Sequence, residues 1–154
     1  MTFRNLQDAL LEEVGVILKD MQSQTADDNK AVGFHGYAHT LPVMKSDEDD
    51  EEKLFPFYIV KIAEGKTQDD GDCWHVSADI ILGVHEMDGA GHEHILTAIQ
   101  RIVDRFAAEP KPKAFRADQD MTWQVGEEDS YPYFFGAVSI TFSVPKISRR
   151  SAYV

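Results

Sequence analysis

The residues best suited to chemistry in this chain are its histidines and carboxylates, and their spacing decides what they could hold. His92-Glu93-His94 opens the apolar-periodic segment after Gly91, with His85 upstream. A zinc site of the protease type needs histidines at i and i+4 on a helix, flanking a glutamate, so that both imidazoles face one metal. Here they stand at i and i+2, which on a helix turns the rings about 200° apart. In a strand the two would share a face, but the residues after Gly91 read as helix. Zinc deaminases also carry H-x-E, completed by a later P-C-x-x-C. Cys73 is the single cysteine and precedes the histidines. Histidines exposed at a helix start are therefore the expectation, and a metal-dependent enzyme centred on His85, His92 and His94 is kept as a rival. Asp69-Asp70-Gly71-Asp72 has the flavour of a calcium loop but lacks the alternating ligands and distal Glu; it reads as a hairpin turn. No Gly-rich phosphate loop and no G-x-S-x-G elbow occurs, and no carboxylate pair stands out for acid–base work. The chain does not read as an enzyme: no catalytic, cofactor-binding or metal residue can be named.

These residues need a scaffold, and 154 residues suffice for one domain with a core of its own. An apolar fraction of 43% argues against disorder of the whole chain. No apolar run reaches the roughly 18 residues that would cross a bilayer, and the polar, acidic start Met1 to Asp8 does not read as a signal peptide. A lone cysteine forms no intramolecular disulfide and suits a reducing cytosol. The formal charge of −12 disfavours a grip on phosphate backbones, which needs clustered Lys and Arg. It is compatible with a surface past which DNA moves without sticking.

The elements follow from period. Leu6, Leu10, Val14, Ile17 and Met21 predict a helix from Leu6 to about Met21, with Gly15 weakening its middle by roughly 1 kcal/mol against Ala. Residues 23–54 read as a long acidic insertion without a clean period. Within it Asp47-Glu48-Asp49-Asp50-Glu51-Glu52 are six adjacent carboxylates, expected to form a solvated, mobile loop and the one candidate interaction segment. A hairpin joins about Phe57–Ala63 to about Trp74–Val84, where apolar and polar residues alternate, with Ile81 breaking the polar side. A second helix spans about Gly91–Ala108, with Ile95, Ile99, Ile102 and Phe106 as its stripe, broadened by Leu96, Ala98 and Val103; Pro110 and Pro112 stop it. Met121–Val125 suggests a further strand, and Tyr131–Pro145 a last one. The sum is a single α+β domain, residues 1–154, with a mainly antiparallel sheet of about four strands and two helices packed on one face. The second face is then solvated or used for contacts.

The order and punctuation of Phe55–Pro145 resemble the tail terminator (tail completion) proteins of long-tailed bacteriophages and phage-tail-like particles. The resemblance rests on the hairpin starting Phe55-Pro56-Phe57-Tyr58-Ile59-Val60-Lys61-Ile62-Ala63-Glu64-Gly65 and the second strand Val76 to Val84. It continues through Gly91-His92-Glu93-His94-Ile95-Leu96, the helix to Phe106, the acidic Glu127-Glu128-Asp129 with Tyr131-Pro132-Tyr133, and the closing Phe142-Ser143-Val144-Pro145. The acidic run Asp47–Glu52 is not part of it. The resemblance implies a structural virion protein, assembled in the host cytoplasm. It would form a homo-oligomeric ring, typically hexameric, that caps the tail tube, ends its polymerisation and offers a joining surface to neck or head connector proteins. Its partners would be its own copies, the tail tube protein and DNA passing through the lumen without specific binding. No cofactor and no membrane is implied. Other readings are a neck or head-completion protein of similar fold and, from another class, an acidic DNA-mimic inhibitor.

Overall fold

The alternation of apolar and polar residues from Cys73 to His85 makes this segment a strand with one buried face. In the computed structural model, which describes residues 2–24, 31–42, 54–67, 73–87, 90–110, 115–126 and 131–145, it is strand β5 (Cys73–His85). It is hydrogen-bonded along one side to β4 (Phe57–Thr67) and along the other to β7 (Tyr133–Pro145), both antiparallel. β3 (His35–Ala38) lies parallel to β4, and β6 (Arg116–Val125) antiparallel to β7. The main sheet therefore runs β3-β4-β5-β7-β6, five strands with one parallel pair. A short ribbon of β1 (Gln22–Gln24) and β2 (Ala31–Gly33) joins it through the single pair Gln24–His85.

The α+β architecture matches the sequence expectation, but a sheet of about four strands falls one short. The missing strand is β3. Four residues at an edge, mostly exposed, bury too little to imprint a period of two. For the same reason residues 23–54, expected to lack regular structure, contain β2 and β3. Asp47–Glu52 and the turn Asp69–Asp72 lie outside the described residues.

Both helices pack on one face. α1 (Phe3–Leu18) begins at Thr2, whose hydroxyl accepts from the Asn5 N–H at 3.0 Å while Asn5 Oδ1 accepts from the Thr2 N–H at 2.9 Å. This reciprocal cap satisfies donors that the first turn would otherwise leave open. The helix ends three residues before the expected Met21, and Leu18 joins Leu6, Leu10 and Val14 as its buried stripe, with Ile17 only half-buried. α2 (Gly91–Ala108) has the expected bounds and buries Ile95, Ala98, Ile99, Ile102 and Phe106. Leu96, expected to broaden that stripe, is exposed.

Against these helices the sheet turns Tyr58 and Val60 of β4, Val76 to Val84 of β5 in alternation, and Val138, Ile140, Phe142 and Val144 of β7. The helices are tied by Arg105, which donates to Glu13 at 2.7 Å from Nε and also pairs with Glu109. The hydrogen bond to Glu109 is the main reason its guanidinium is held above its ordinary pKa. Gly15 has a reason in packing. The Tyr58 hydroxyl donates to the Leu11 carbonyl at 2.9 Å, and a Cβ at position 15 would lie 2.9 Å from the Tyr58 hydroxyl oxygen.

Candidate interaction surface

The histidines do not converge. His92 is exposed on the first turn of α2. His85 is buried at the end of β5 with its ring 5.3 Å from that of Tyr133. His94 turns to the buried carboxylate of Glu86, Nε2 to Oε1 3.5 Å, a partner the spacing gave no reason to expect. Among the described residues no three His, Cys, Asp or Glu side chains gather into a group that could hold a metal ion. Cys73 is half-buried at the start of β5.

Among the described residues neither helix packs on the second face of the sheet, and no strand pairs beyond β3 or β6. In a paired strand alternate side chains share a face, so register identifies the rows on the face away from the helices. Phe57, Gly83 and Phe135 form one row, and Tyr37, Ile59, Ile81, Ala137 and Gln124 the next. Phe55 folds over them, its ring 4.9 Å from both Phe57 and Tyr133. Gly83 permits this cover, because a Cβ there would meet the Phe57 ring at 2.4 Å. Phe55, Phe57 and Ile59 thus make a second small core, with Tyr37, Leu41, Ile81 and Tyr133 packed at its margin. This is where Ile81 belongs, the residue that broke the polar side of β5. Burial at that margin pushes the Tyr37 hydroxyl above its ordinary pKa. Phe135 stays partly exposed, beside a hollow of about 270 Å³ that it lines with Ile81, Gln124 and Ala137.

The other half of this face is polar. Lys61 and Asp79 share a row with Ser139, whose hydroxyl donates to Asp79 Oδ1 at 2.6 Å, and Ser77 and Thr141 are 3.3 Å apart. A hollow of about 310 Å³ there is lined by Glu64, Lys66, His75, Ser77 and Thr141. These polar groups are spread over β4, β5 and β7, and the hydroxyl–carboxylate contact among them is Ser139 to Asp79.

At the ends of the sheet, β3 pairs only with β4 and β6 only with β7 among the described residues. Unpaired strand edges are templates for another chain. β6 is irregular in its first half: Asp118, Gln119 and Asp120 stand between Ala117 and Met121, which pair with Phe142 and Ile140. From Met121 to Val125 it is regular, and in this half Trp123 is 55% exposed, the most exposed of the large apolar side chains among the described residues. Trp123 pairs with Val138, so its indole lies on the helix side of the sheet. The sequence offered β6 only as a plausible strand and gave no sign that it is an edge.

No protein-family model and no curated protein matches this chain.

Proposed function

We infer that this chain is a structural subunit of a phage tail or phage-tail-like particle. In this reading it forms a ring that caps the tail tube, ends tube polymerisation and offers a joining surface to the neck or head. One observation carries the reading: among the described residues β6 has no partner strand beyond β7 and carries the exposed Trp123, and the aromatic-rimmed sheet face ends at the partly exposed Phe135. Surfaces of this kind serve assembly. The order of elements from Phe55 to Pro145, which resembles the tail terminators, supplies the particular assembly. A head-to-tail ring needs two different patches on one subunit, and the two ends of this sheet are different. The net charge of −12 suits a lumen through which DNA slides, since acidic walls repel a duplex within a screening length of about 8 Å. Asp47–Glu52 is the segment proposed to face that lumen.

The test is the native mass of the purified chain by light scattering, alone and with its tail tube protein. A ring of several copies, formed alone or on the tube and limiting tube length, is the expected result. A monomer indifferent to tube protein would refute the reading. For the lumen, particles carrying Asp47–Glu52 as Asn and Gln should pass DNA less well; unchanged infectivity would sink that assignment.

A further inference from the structure

We propose that neighbouring copies join by continuing the sheet, with the regular half of β6 in one copy pairing antiparallel to β3 of the next. The proposal rests on the assembly reading above and names the two patches that it needs.

Strand direction comes first. β3 is parallel to β4, β4 antiparallel to β5, β5 to β7 and β7 to β6, so β3 and β6 point in opposite directions at opposite ends of one sheet. Placing a second copy alongside with its sheet in line sets β6 against β3 antiparallel, the stronger pairing.

The backbone groups match. The Gly126 N–H bonds the Phe135 carbonyl at 2.8 Å. With Val125 opposite Gly136 and Trp123 opposite Val138, the antiparallel alternation turns the N–H and C=O of Trp123 and Val125 away from β7. On β3, His35 N–H bonds Pro56 O at 3.1 Å and His39 N–H bonds Val60 O at 2.9 Å, which turns the N–H groups of Gly36 and Ala38 outward. Each edge thus offers outward groups two residues apart, and the Ala38 carbonyl, which also accepts from the Thr40 N–H at 2.8 Å, has a second lone pair for a partner strand.

Side chains match as well. Gly36 pairs with Tyr58 and Ala38 with Val60, both core residues, so positions 36 and 38 lie on the helix side of the sheet, the side on which Trp123 projects. An indole on one edge meets no side chain or a single methyl on the other. Charge then selects the head-to-tail arrangement. β6 carries Asp118 and Asp120, and two β6 edges paired about a two-fold axis would set acidic strands side by side. Residues 31–42 contain no Asp or Glu, in a chain with 27, and carry His35 and His39. Antiparallel pairing brings the His39 end of β3 to the Asp120 end of the regular half of β6, imidazole to carboxylate.

Complementation tests this. Trp123→Pro removes an outward N–H and the indole while leaving the β6–β7 ladder bonds, and proline is tolerated on edge strands. Ala38→Glu blocks the β3 edge with a carboxylate. Each variant retains one good edge. By sedimentation velocity each alone should be monomeric, with self-association weakened at least about tenfold, and a 1:1 mixture should form a dimer and nothing larger. Dimer formation itself reports that both variants are folded, and urea unfolding of each alone checks this separately. Ala38→Glu assembling like wild type, or a mixture of two folded variants that stays monomeric, would overturn the proposal while leaving the assembly reading intact. A wild-type chain that is monomeric with and without tube protein would overturn both.

Discussion

Gly83 is the position where packing on the open face of the sheet can be put to a number. It lies in the central strand β5 beneath the rings of Phe57 and Phe55, and an added Cβ would sit 2.4 Å from Phe57 Cζ and 3.0 Å from Phe55 Cε1. Neither ring has an easy retreat. Phe57 is 3% exposed, and Phe55 is wedged against Phe57, Tyr133 and Phe135. Overpacking of this kind costs about 1–3 kcal/mol. Replacing glycine at an ordinary backbone conformation returns roughly 0.4–1 kcal/mol by restricting the unfolded chain. The difference spans roughly 0–2.6 kcal/mol, and the 2.4 Å approach to a buried ring places Gly83→Ala in its upper half, a loss of about 1.3–2.6 kcal/mol and a fall in Tm of roughly 3–10 °C for a chain of this size. Urea unfolding followed by far-UV circular dichroism measures the loss, and the near-UV spectrum should change with the displaced rings. Gly33→Ala is the control: a Cβ there meets nothing within 4 Å, so stability should hold or rise. If Gly83→Ala were as stable as wild type, the rings would not be seated on β5 and the second small core would have to be abandoned.

Three further expectations test the other face. Tyr58→Phe removes the bond to the Leu11 carbonyl and should cost about 0.5–1.5 kcal/mol at neutral pH. Burial raises the Tyr58 hydroxyl above its ordinary value of 10.0, so its contribution is whole below that value and is lost as pH rises through the raised one. Wild type should then lose stability more steeply than Tyr58→Phe in alkaline titration, and parallel curves would contradict this. Thr2→Ala breaks the reciprocal cap of α1 and should cost about 0.5–2 kcal/mol, with faster amide exchange at Asn5 as the local readout. Arg105→Gln severs the link between α2 and Glu13; at a partly exposed site the loss should stay under about 1 kcal/mol and shrink further in high salt, as chemical denaturation at two ionic strengths would reveal.

Much of this fold was legible in the chain because its central pieces carry strong periods. The bounds of α2 and the pairing of β4 with β5 follow from residues such as Ile95, Ile102, Val76 and Ile80, whose spacing matches one helix stripe or one strand face. Composition and spacing likewise bear on what the histidines can hold: His92 and His94 at i and i+2 on a helix diverge, and the structure turns His94 to Glu86. Elements that bury little left no such mark. β3 is four residues at an edge, and its neighbour β4 is parallel to it, a relation created by a connection of 18 residues from 39 to 56 with no period to announce it. Ile81 reads as an apolar residue on the polar side of its strand until Phe55, Phe57 and Ile59 are seen gathered beside it. The exposure of Trp123 belongs to the same class. Its type suits a buried strand, and only the order of strands makes β6 the last one among the described residues, where the indole stays 55% exposed. Local periodicity sets which face of a segment seeks burial; which segments stand at the ends of the sheet, and so what surface is left for a partner, is decided by contacts between residues far apart in the chain.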